Sequence, residues 1–218
     1  MALDKTLLSN SLYNAFLNMN EMGKNNITPS EGNTYAANQI ALALSNYLAM
    51  AQISSVAMSD IGTYTGYVYT GTSTGLGIII DVSSLTNNLA SHFMADDLSD
   101  DKIAYYIAND INTSLLQATI NVTSSGTYIV PGTPPETLQG SDNGRGSFVG
   151  IPSILSNELK QTFIEMFERA KNADENYNGN RDFANRLANC IDNYIKQQGC
   201  LTLMYTGTLI CTSNGIIE

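Results

Sequence analysis

The feature that most constrains this chain is a segment that occurs three times. It reads Leu-(Ser/Thr)-Asn-x-Leu-x-x-x-Phe and begins at Leu8, Leu85 and Leu155. Such internal self-similarity is typical of repeat architectures, in which one supersecondary unit is used several times. The Leu, Leu and Phe stand four residues apart, so they share one stripe of a helix, and the Ser/Thr-Asn pair is expected at the helix start. The phenylalanines of the three copies are Phe16, Phe93 and Phe163.

A second motif follows in every copy. It reads Ala-Asn-x-(Ile/Leu)-x-x-x-(Leu/Ile) and begins at Ala37, Ala108 and Ala184. Its apolar residues again recur at intervals of three and four, which predicts a second amphipathic helix. The two motifs are closer together in the middle copy. Because loops tolerate deletions, we expect this copy to have lost part of its interhelical turn.

A Thr- and Gly-rich β pattern follows each second helix. "ATINVTSSGTYIV" in the second copy and "GCLTLMYTGTLIC" in the third alternate apolar and polar residues around a Gly-Thr turn. This pattern predicts two or three short antiparallel strands per copy. The run "VPGTPPETLQGSDNGRGS", residues 130–147, is rich in Pro and Gly and is expected to be the only long loop.

These patterns together predict an α+β fold of three tandem copies of a helix-turn-helix-β-hairpin unit. The expected units are residues 1–84, 85–152 and 153–218. Units of this size are marginal for folding alone, so they should pack on one another. We expect them to pack helix against sheet in a pseudo-threefold arrangement, or to add strands to one another.

The overall charge narrows the classes of partner. The net charge is −10 with only ten Lys and Arg, which argues against nucleic acid and against anionic membranes as partners.

No apolar run approaches the roughly 20 residues of a membrane span, and the first residues do not read as a secretory signal. Cys190, Cys200 and Cys211 lack CxxC spacing and are expected to be reduced thiols.

One segment of the third copy resembles a calcium-binding loop. "DENYNGNRDFAN" has oxygen-bearing residues and a glycine in the spacing of an EF-hand. Its twelfth position is Asn185, where a Glu is required, and Asn185 already belongs to the repeat. A Gly-Asn interhelical turn, also present at Gly32-Asn33, explains the segment without a metal. The residues concerned are Asp174, Asn176, Asn178, Gly179, Asn180 and Asp182.

Other local patterns have simple structural explanations. The sequence "GTSTG" around Ser73 matches a nucleophile elbow, but a β run follows it and the only histidine, His92, lies in a predicted helix. We interpret it as a Thr/Gly turn. The acidic run Asp96 to Asp101 is expected to be a solvated turn at a helix start, Cys190 a small helix-face residue, and Arg145 a surface residue. The sequence therefore predicts no catalytic, cofactor-binding or metal-binding residue and no enzyme activity.

The third copy also carries a resemblance. Its pattern "LSNELKQTFIEMFERAKN…FANRLANCIDNYIKQQG", followed by Thr/Gly-rich strands, is similar to small virion structural proteins of tailed, especially contractile-tailed, bacteriophages. The resemblance extends over nearly the whole chain as a pattern. It implies a structural component of a tail, neck, baseplate or capsid, made in the host cytoplasm and found in the virion. The implied partners are other copies of the chain and neighbouring virion proteins.

A second functional class is a receptor- or carbohydrate-binding module. Tyr64, Tyr67 and Tyr69 in the β segment of the first copy could form a surface on which sugars stack. Cross-strand packing of the same rings is the simpler explanation.

Overall fold

The computed structural model describes residues 3–25, 27–56, 60–95, 99–172, 177–198 and 200–218. Within them the chain forms six α-helices, one π-helical turn and seven strands. The helices are α1 Lys5–Lys24, α2 Pro29–Leu48, α3 Val82–Phe93, α4 Asp100–Leu116, α5 Pro152–Lys171 and α6 Gly179–Asn193, which continues into the π-helical turn Tyr194–Gln198. The strands are β1 Gln52–Ser55, β2 Asp60–Tyr64, β3 Tyr67–Leu76, β4 Ile120–Val130, β5 Glu136–Val149, β6 Cys200–Thr206 and β7 Leu209–Ile217.

The predicted helix pairs are present, and their motif residues form the core. In the first copy Leu8, Leu12 and Phe16 of α1 are buried against Ala37 and Leu44 of α2. The corresponding leucines of α3 and α5 and the corresponding apolar residues of α4 and α6 are buried as well. The stripes predicted from the spacing are therefore confirmed as the buried faces of the helices.

The helix starts differ from the prediction. The α1 helix is capped by Asp4, whose carboxylate accepts from the backbone N–H of Thr6 at 2.8 Å. The α3 helix is capped in the same way by Asp81. The expected Ser/Thr-Asn pair lies one turn further along, where Ser9 Oγ donates to Asn185 Oδ1 at 2.5 Å. The prediction was wrong because an upstream carboxylate serves the free N–H groups of the first turn in α1 and α3, whereas α5 begins with Pro152 and has no side-chain cap.

The segment that the sequence aligns as the middle copy has a shorter first helix. The α3 helix has 12 residues, whereas α1 and α5 have 20 each. The expectation of a shorter interhelical turn was therefore wrong. The expected unit boundaries, after residues 84 and 152, fall in the first turns of α3 and α5.

The helices follow one another around a ring. Each helix from α1 to α5 packs against the next one in the chain, and α6 packs against α1. The ring thereby joins the first helix to the last. Among the described residues, no helix combines the length and the hydropathy that a membrane span requires.

The strands form one antiparallel sheet that closes on itself. The β3 strand pairs with β4 on one side and with β2 and β1 on the other. Pairing continues from β4 through β5 and β6 to β7, which returns to β2 and β1. Both β1 and β2 pair with β3 on one side and with β7 on the other. Every strand of the described sheet therefore has a hydrogen-bonded neighbour on both sides.

The expected long loop at residues 130–147 is mostly strand. All of β5 from Glu136 to Val149 pairs with β4 or β6, which leaves only 131–135 as the connection. Its glycines face the interior of the sheet, where there is no room for a side chain. A Cβ at Gly146 would lie 2.8 Å from Ile120 Cγ2. Here glycine reflects close packing inside a sheet, so its frequency misled the loop prediction.

Candidate functional site

An apolar cavity of about 550 Å³ lies inside the helix ring. We call it the ring cavity. Residues of all six helices line it, and they include Phe16, Phe93 and Phe163, one from each copy of the first motif. The phenylalanines at the end of the repeated apolar stripe therefore all line the same cavity. The remaining lining residues are Met19, Asn33, Ala36, Ile40, Asp100, Ile103, Ile107, Met166, Phe167, Ala170, Phe183 and Leu187.

The ring cavity lies at the end of the ring that is remote from the sheet. Its lining comes from the later halves of α1, α3 and α5 and mainly from the earlier halves of α2, α4 and α6, with Ile40 and Leu187 just past the midpoints of α2 and α6. These are the ends of the helices that meet at the interhelical segments. The strands leave from the opposite ends of α2, α4 and α6.

Aromatic rings organise one side of the wall. The ring of Phe183 stacks on that of Phe16 with centroids 4.9 Å apart and lies 5.9 Å from that of Phe163. These contacts join α1, α5 and α6 at the cavity. They fix the positions of the rings and make this part of the wall firm.

The wall offers little to a polar ligand. Asn33 and Asp100 carry the only polar side chains among the lining residues. The amide of Asn33 already donates to the carbonyl oxygen of Phe93 at 2.9 Å. Asp100 belongs to the first turn of α4 and is exposed. The geometry suits the retention of hydrocarbon, and it provides no pair of acid and base for catalysis.

A second site is a buried polar cluster inside the sheet, built around Asp60. The carboxylate of Asp60 is fully buried and accepts from three serine hydroxyls. Ser213 donates to Oδ1 at 2.5 Å, and Ser124 donates to Oδ2 at 2.7 Å. Ser73 also donates to Oδ2. Three hydroxyl donors compensate a carboxylate that burial would otherwise make costly.

Two tyrosines complete this Asp60 cluster. The hydroxyl of Tyr69 lies 3.0 Å from Ser124 Oγ, and that of Tyr205 is hydrogen-bonded to Ser73 Oγ. Burial raises the pKa of Tyr205 to about 12 and also raises the pKa of Tyr69. Both phenols therefore stay neutral at physiological pH. The hydroxyls are engaged with one another and with Asp60, so the cluster acts as a structural network.

The position of Ser73 in this cluster agrees with neither the Thr/Gly turn nor the nucleophile elbow considered from the sequence. Ser73 lies in the middle of β3 and is buried, so the Thr/Gly turn predicted for "GTSTG" was wrong. A nucleophile elbow requires a sharp strand-to-helix turn and an exposed serine. The structure has neither at Ser73. The sequence had offered one clue to the cluster that was missed, a lone Asp60 in a β segment otherwise free of charge.

The only histidine, His92, lies on α3 and contacts α4. His92 Nδ1 is 2.8 Å from Asp110 Oδ2, and its ring stacks on Tyr106 with centroids 4.1 Å apart. Burial raises the pKa of the Asp110 carboxyl group, although the contact with His92 opposes this shift. No serine or cysteine nucleophile is placed beside the pair by the contacts of the described residues. His92 therefore joins two helices.

The calcium-loop pattern is divided between described and undescribed residues. Asp174 and Asn176 lie outside the described residues. Asn178 caps α6 by accepting from the N–H of Arg181 at 3.0 Å, and Gly179 to Asp182 form the first turn of that helix. Asp182 accepts from Arg186 Nε at 3.0 Å. The second half of an EF-hand loop is therefore replaced by helix.

The expected Gly-Asn turn was also wrong. Gly179 and Asn180 lie within α6, and Gly32 and Asn33 lie within α2. In the described parts of the chain, no three His, Cys, Asp or Glu side chains are grouped in a way that could hold a metal ion.

The remaining residues considered from the sequence are the acidic run, the cysteines and Arg145. Asp100 and Asp101 start α4, while Asp96 and Asp97 lie outside the described residues. Cys190 is buried on α6, and both Cys190 and Cys211 are free thiols. Arg145 is exposed on β5.

The three tyrosines of the alternative function do not form one open surface. Tyr69 is fully buried, and Tyr64 packs between Tyr69 and Tyr128 with ring centroids 5.7 and 5.0 Å apart. Tyr67 stacks on Tyr128 at 6.2 Å. These rings close one end of the sheet by packing on one another, as cross-strand pairs do.

The fold and both sites define an α+β protein with six helices and a seven-stranded antiparallel sheet in its described residues. No family model matches the chain, and neither the curated proteins nor the solved structures provide a match.

Proposed function

We propose that this chain is a non-enzymatic structural protein of a bacteriophage virion, a component of its tail, neck, baseplate or capsid. In this proposal it acts through contacts with other copies of itself and with neighbouring virion proteins. Support comes from the resemblance inferred from the sequence, and above all from the chemistry of the outer face of the sheet.

The outer face of the sheet carries exposed aliphatic side chains. Val68 is 74% exposed and Ile210 is 62% exposed. Both are cross-strand neighbours of Thr63, which lies between them on β2. Exposed apolar groups in this number favour a surface that neighbouring proteins cover. Others on the strands include Ile61, Leu76, Ile129, Val149, Met204 and Ile216.

The same face is almost free of charge. The strands contain four charged residues, of which Asp60 is buried and Asp142 is half-buried, accepting from the backbone N–H of Leu209 at 2.7 Å. Glu136, at the start of β5, and Arg145 are the exposed ones. Every Lys and Arg except Arg145 lies in a helical segment. The scarcity of charge on the outer face of the sheet is the single observation that best supports an assembly function.

This distribution of charge favours contact between copies of the same chain. With a net charge of −10, two copies repel one another where their charged surfaces approach within about 8 Å, the screening length at physiological salt. The outer face of the sheet escapes this repulsion. Its Thr, Ser and Asn side chains can pair across an interface, and its aliphatic groups gain from burial.

We include the threefold repetition in this proposal. In this view the three helix-helix-β units are copies of one ancestral unit around a pseudo-threefold axis. The common lining of the ring cavity by Phe16, Phe93 and Phe163 supports it, as does the succession of helices around a ring. Such a chain can contact a threefold array of partners with three similar surfaces.

The carbohydrate-binding alternative has weaker support. Of its three tyrosines, Tyr69 is enclosed in the sheet, so at most Tyr64 and Tyr67 could contact a sugar. A glycan array probed with the purified chain would restore it by giving a specific ligand whose binding is lost in Tyr67→Ala.

The test combines oligomeric state with particle composition. Light scattering after size exclusion should show oligomers of the purified chain, and the double variant Val68→Lys/Ile210→Lys should dissociate them. The matched control Leu17→Lys/Leu42→Lys adds the same charges at helix positions that are 38 and 39% exposed, and it should leave the oligomers intact. Mass spectrometry of purified particles should find the chain. A monomeric chain that is absent from particles would overturn the proposal.

A further inference from the structure

We propose that the ring cavity is a binding site for one small, uncharged, apolar molecule of alkyl or aromatic character. This inference does not depend on the proposed function. It follows from the volume of the cavity, from the chemistry of its wall and from the charge around its mouth.

The volume and the lining suit a small organic ligand. Pockets that hold such ligands measure about 300–1,000 Å³ and are mostly apolar, and the ring cavity has about 550 Å³. Phe16, Phe163 and Phe183 provide a firm aromatic side. Met19 and Met166 provide flexible thioethers that adapt to different shapes.

The wall disfavours a peptide as the occupant. A main chain that entered the cavity would bring N–H and C=O groups, and each of these needs a hydrogen-bond partner once it leaves water. The wall has only two polar side chains to meet these groups: Asn33, whose amide already donates one N–H to the Phe93 carbonyl oxygen, and Asp100, at the exposed start of α4. A hydrocarbon carries no such cost.

Charge disfavours an anionic ligand. The carboxylate of Asp100 lines the cavity, and the chain as a whole carries a net charge of −10. A fatty-acid carboxylate would therefore meet like charge as its alkyl chain entered. A neutral alcohol or an uncharged aromatic amine of similar length would not.

Phe167 indicates where the ligand enters. Its ring lines the cavity and is 61% exposed, and Lys171 Nζ lies 4.3 Å above the ring centroid. Lys171 also pairs with Glu168 at 2.9 Å, so its positive charge at the entrance is compensated by a carboxylate and does not favour an anionic ligand. Ala170, near these residues on α5, lines the same side with only a methyl group. A large residue at position 170 would fill the entrance.

The experiment uses N-phenyl-1-naphthylamine, an uncharged apolar dye whose fluorescence rises when it leaves water. The full chain should bind one equivalent with saturation. 1-Decanol should displace the dye at concentrations at least tenfold lower than those of decanoate. Decanol should also raise the midpoint of thermal unfolding, because a ligand of the native state stabilises it.

Three variants locate the binding. Ala170→Trp should weaken dye binding at least tenfold. Ile164→Trp, on the same helix but outside the cavity lining, and Ile210→Lys, on the outer sheet, should bind as the original chain does. If Ala170→Trp unfolds the chain, Phe167→Trp at the same entrance replaces it with the same expected loss.

The outcomes are distinct. Absence of saturable binding would overturn the proposal. Loss of dye binding in Ile210→Lys but not in Ala170→Trp would also overturn it and would place the dye on the sheet. Loss of oligomers in Ala170→Trp without any dye binding to the original chain would overturn it in favour of a protein segment as the occupant.

Discussion

Ser213, on the last strand, donates a hydrogen bond of 2.5 Å to Asp60, which precedes it by 153 residues. Ser73 and Ser124 reach the same carboxylate from β3 and β4. Strands from the first, middle and last parts of the chain therefore meet at one buried charge. The stability of the closed sheet should depend on that charge more than on any exposed one.

We expect Asp60→Ala to destabilise the chain by about 3 kcal/mol or more, because three buried hydroxyls lose their acceptor at once. Ser213→Ala should cost about 1–3 kcal/mol, since one donor to the charge is removed. Urea denaturation measures both. The control is Asp101→Ala, whose carboxylate is exposed and pairs with Lys160 at 3.0 Å, and it should change stability by less than about 1 kcal/mol. Equal effects of the two aspartate variants would refute the structural role of the Asp60 cluster.

The buried tyrosines should ionise late. Burial raises the pKa of Tyr205 and of Tyr194 to about 12. A phenol whose pKa is higher in the folded state stabilises the fold fully below the unfolded value of about 10, and this contribution is lost as pH rises through 12.

Absorbance at 295 nm, followed against pH, tests this expectation. The native chain should show a late phase that Tyr205→Phe reduces and that coincides with alkaline unfolding. Tyr105→Phe removes a ring that is 56% exposed, so the late phase should keep its amplitude. An unchanged late phase in Tyr205→Phe would contradict the prediction.

The two described thiols should react slowly in the folded chain. Burial raises the pKa of the Cys190 thiol, and burial together with the nearby Asp60 raises that of Cys211 to about 11. The thiolate is the reactive form, so both should be poorly nucleophilic at pH 8.

A Cys200→Ser variant leaves only these two thiols for titration with Ellman's reagent. We expect slow, incomplete reaction in buffer and rapid reaction of both in guanidinium. Rapid reaction of two thiols in the folded variant would show that the region around them opens readily.

The close packing inside the sheet predicts the effect of a single methyl group. Gly146→Ala would place a Cβ 2.8 Å from Ile120, and such overpacking costs about 1–3 kcal/mol. Ser147→Ala, the next residue on β5 with its side chain outside, should be nearly neutral. Thermal unfolding of the two variants makes the comparison, and a neutral Gly146→Ala would show that β5 can shift.

The helices of this fold could be predicted from the sequence because their signal is periodic. Leu8, Leu12 and Phe16 recur at the helical interval, and the same interval marks the other copies. The caps were missed because Asp4 and Asp81 lie outside the repeated motif. A motif locates the face of a helix better than its first residue.

The sheet was harder to predict because its composition resembles that of loops. Inside β5, Gly140 leaves room for the ring of Tyr64, and Gly146 leaves room for Ile120. These contacts join residues far apart in the chain, so no local pattern reveals them. The Asp60 cluster was missed for the same reason, since its serines lie on three different strands.

The ring cavity was less predictable than the helices and more predictable than the sheet. The sequence aligned Phe16, Phe93 and Phe163 as equivalent residues, which made a shared environment foreseeable. The void itself depends on how six helices are spaced around a common centre, and the sequence contains no direct measure of that spacing.

The packing of α6 against α1 has a consequence for how the molecule comes apart. Open stacks of repeats fray from their outer units, because each terminal unit has only one neighbour. In the described residues, the helical ring and the closed sheet leave no terminal element with a single neighbour. Removing any one helix would expose the two helices that pack against it, so melting should proceed in one concerted step.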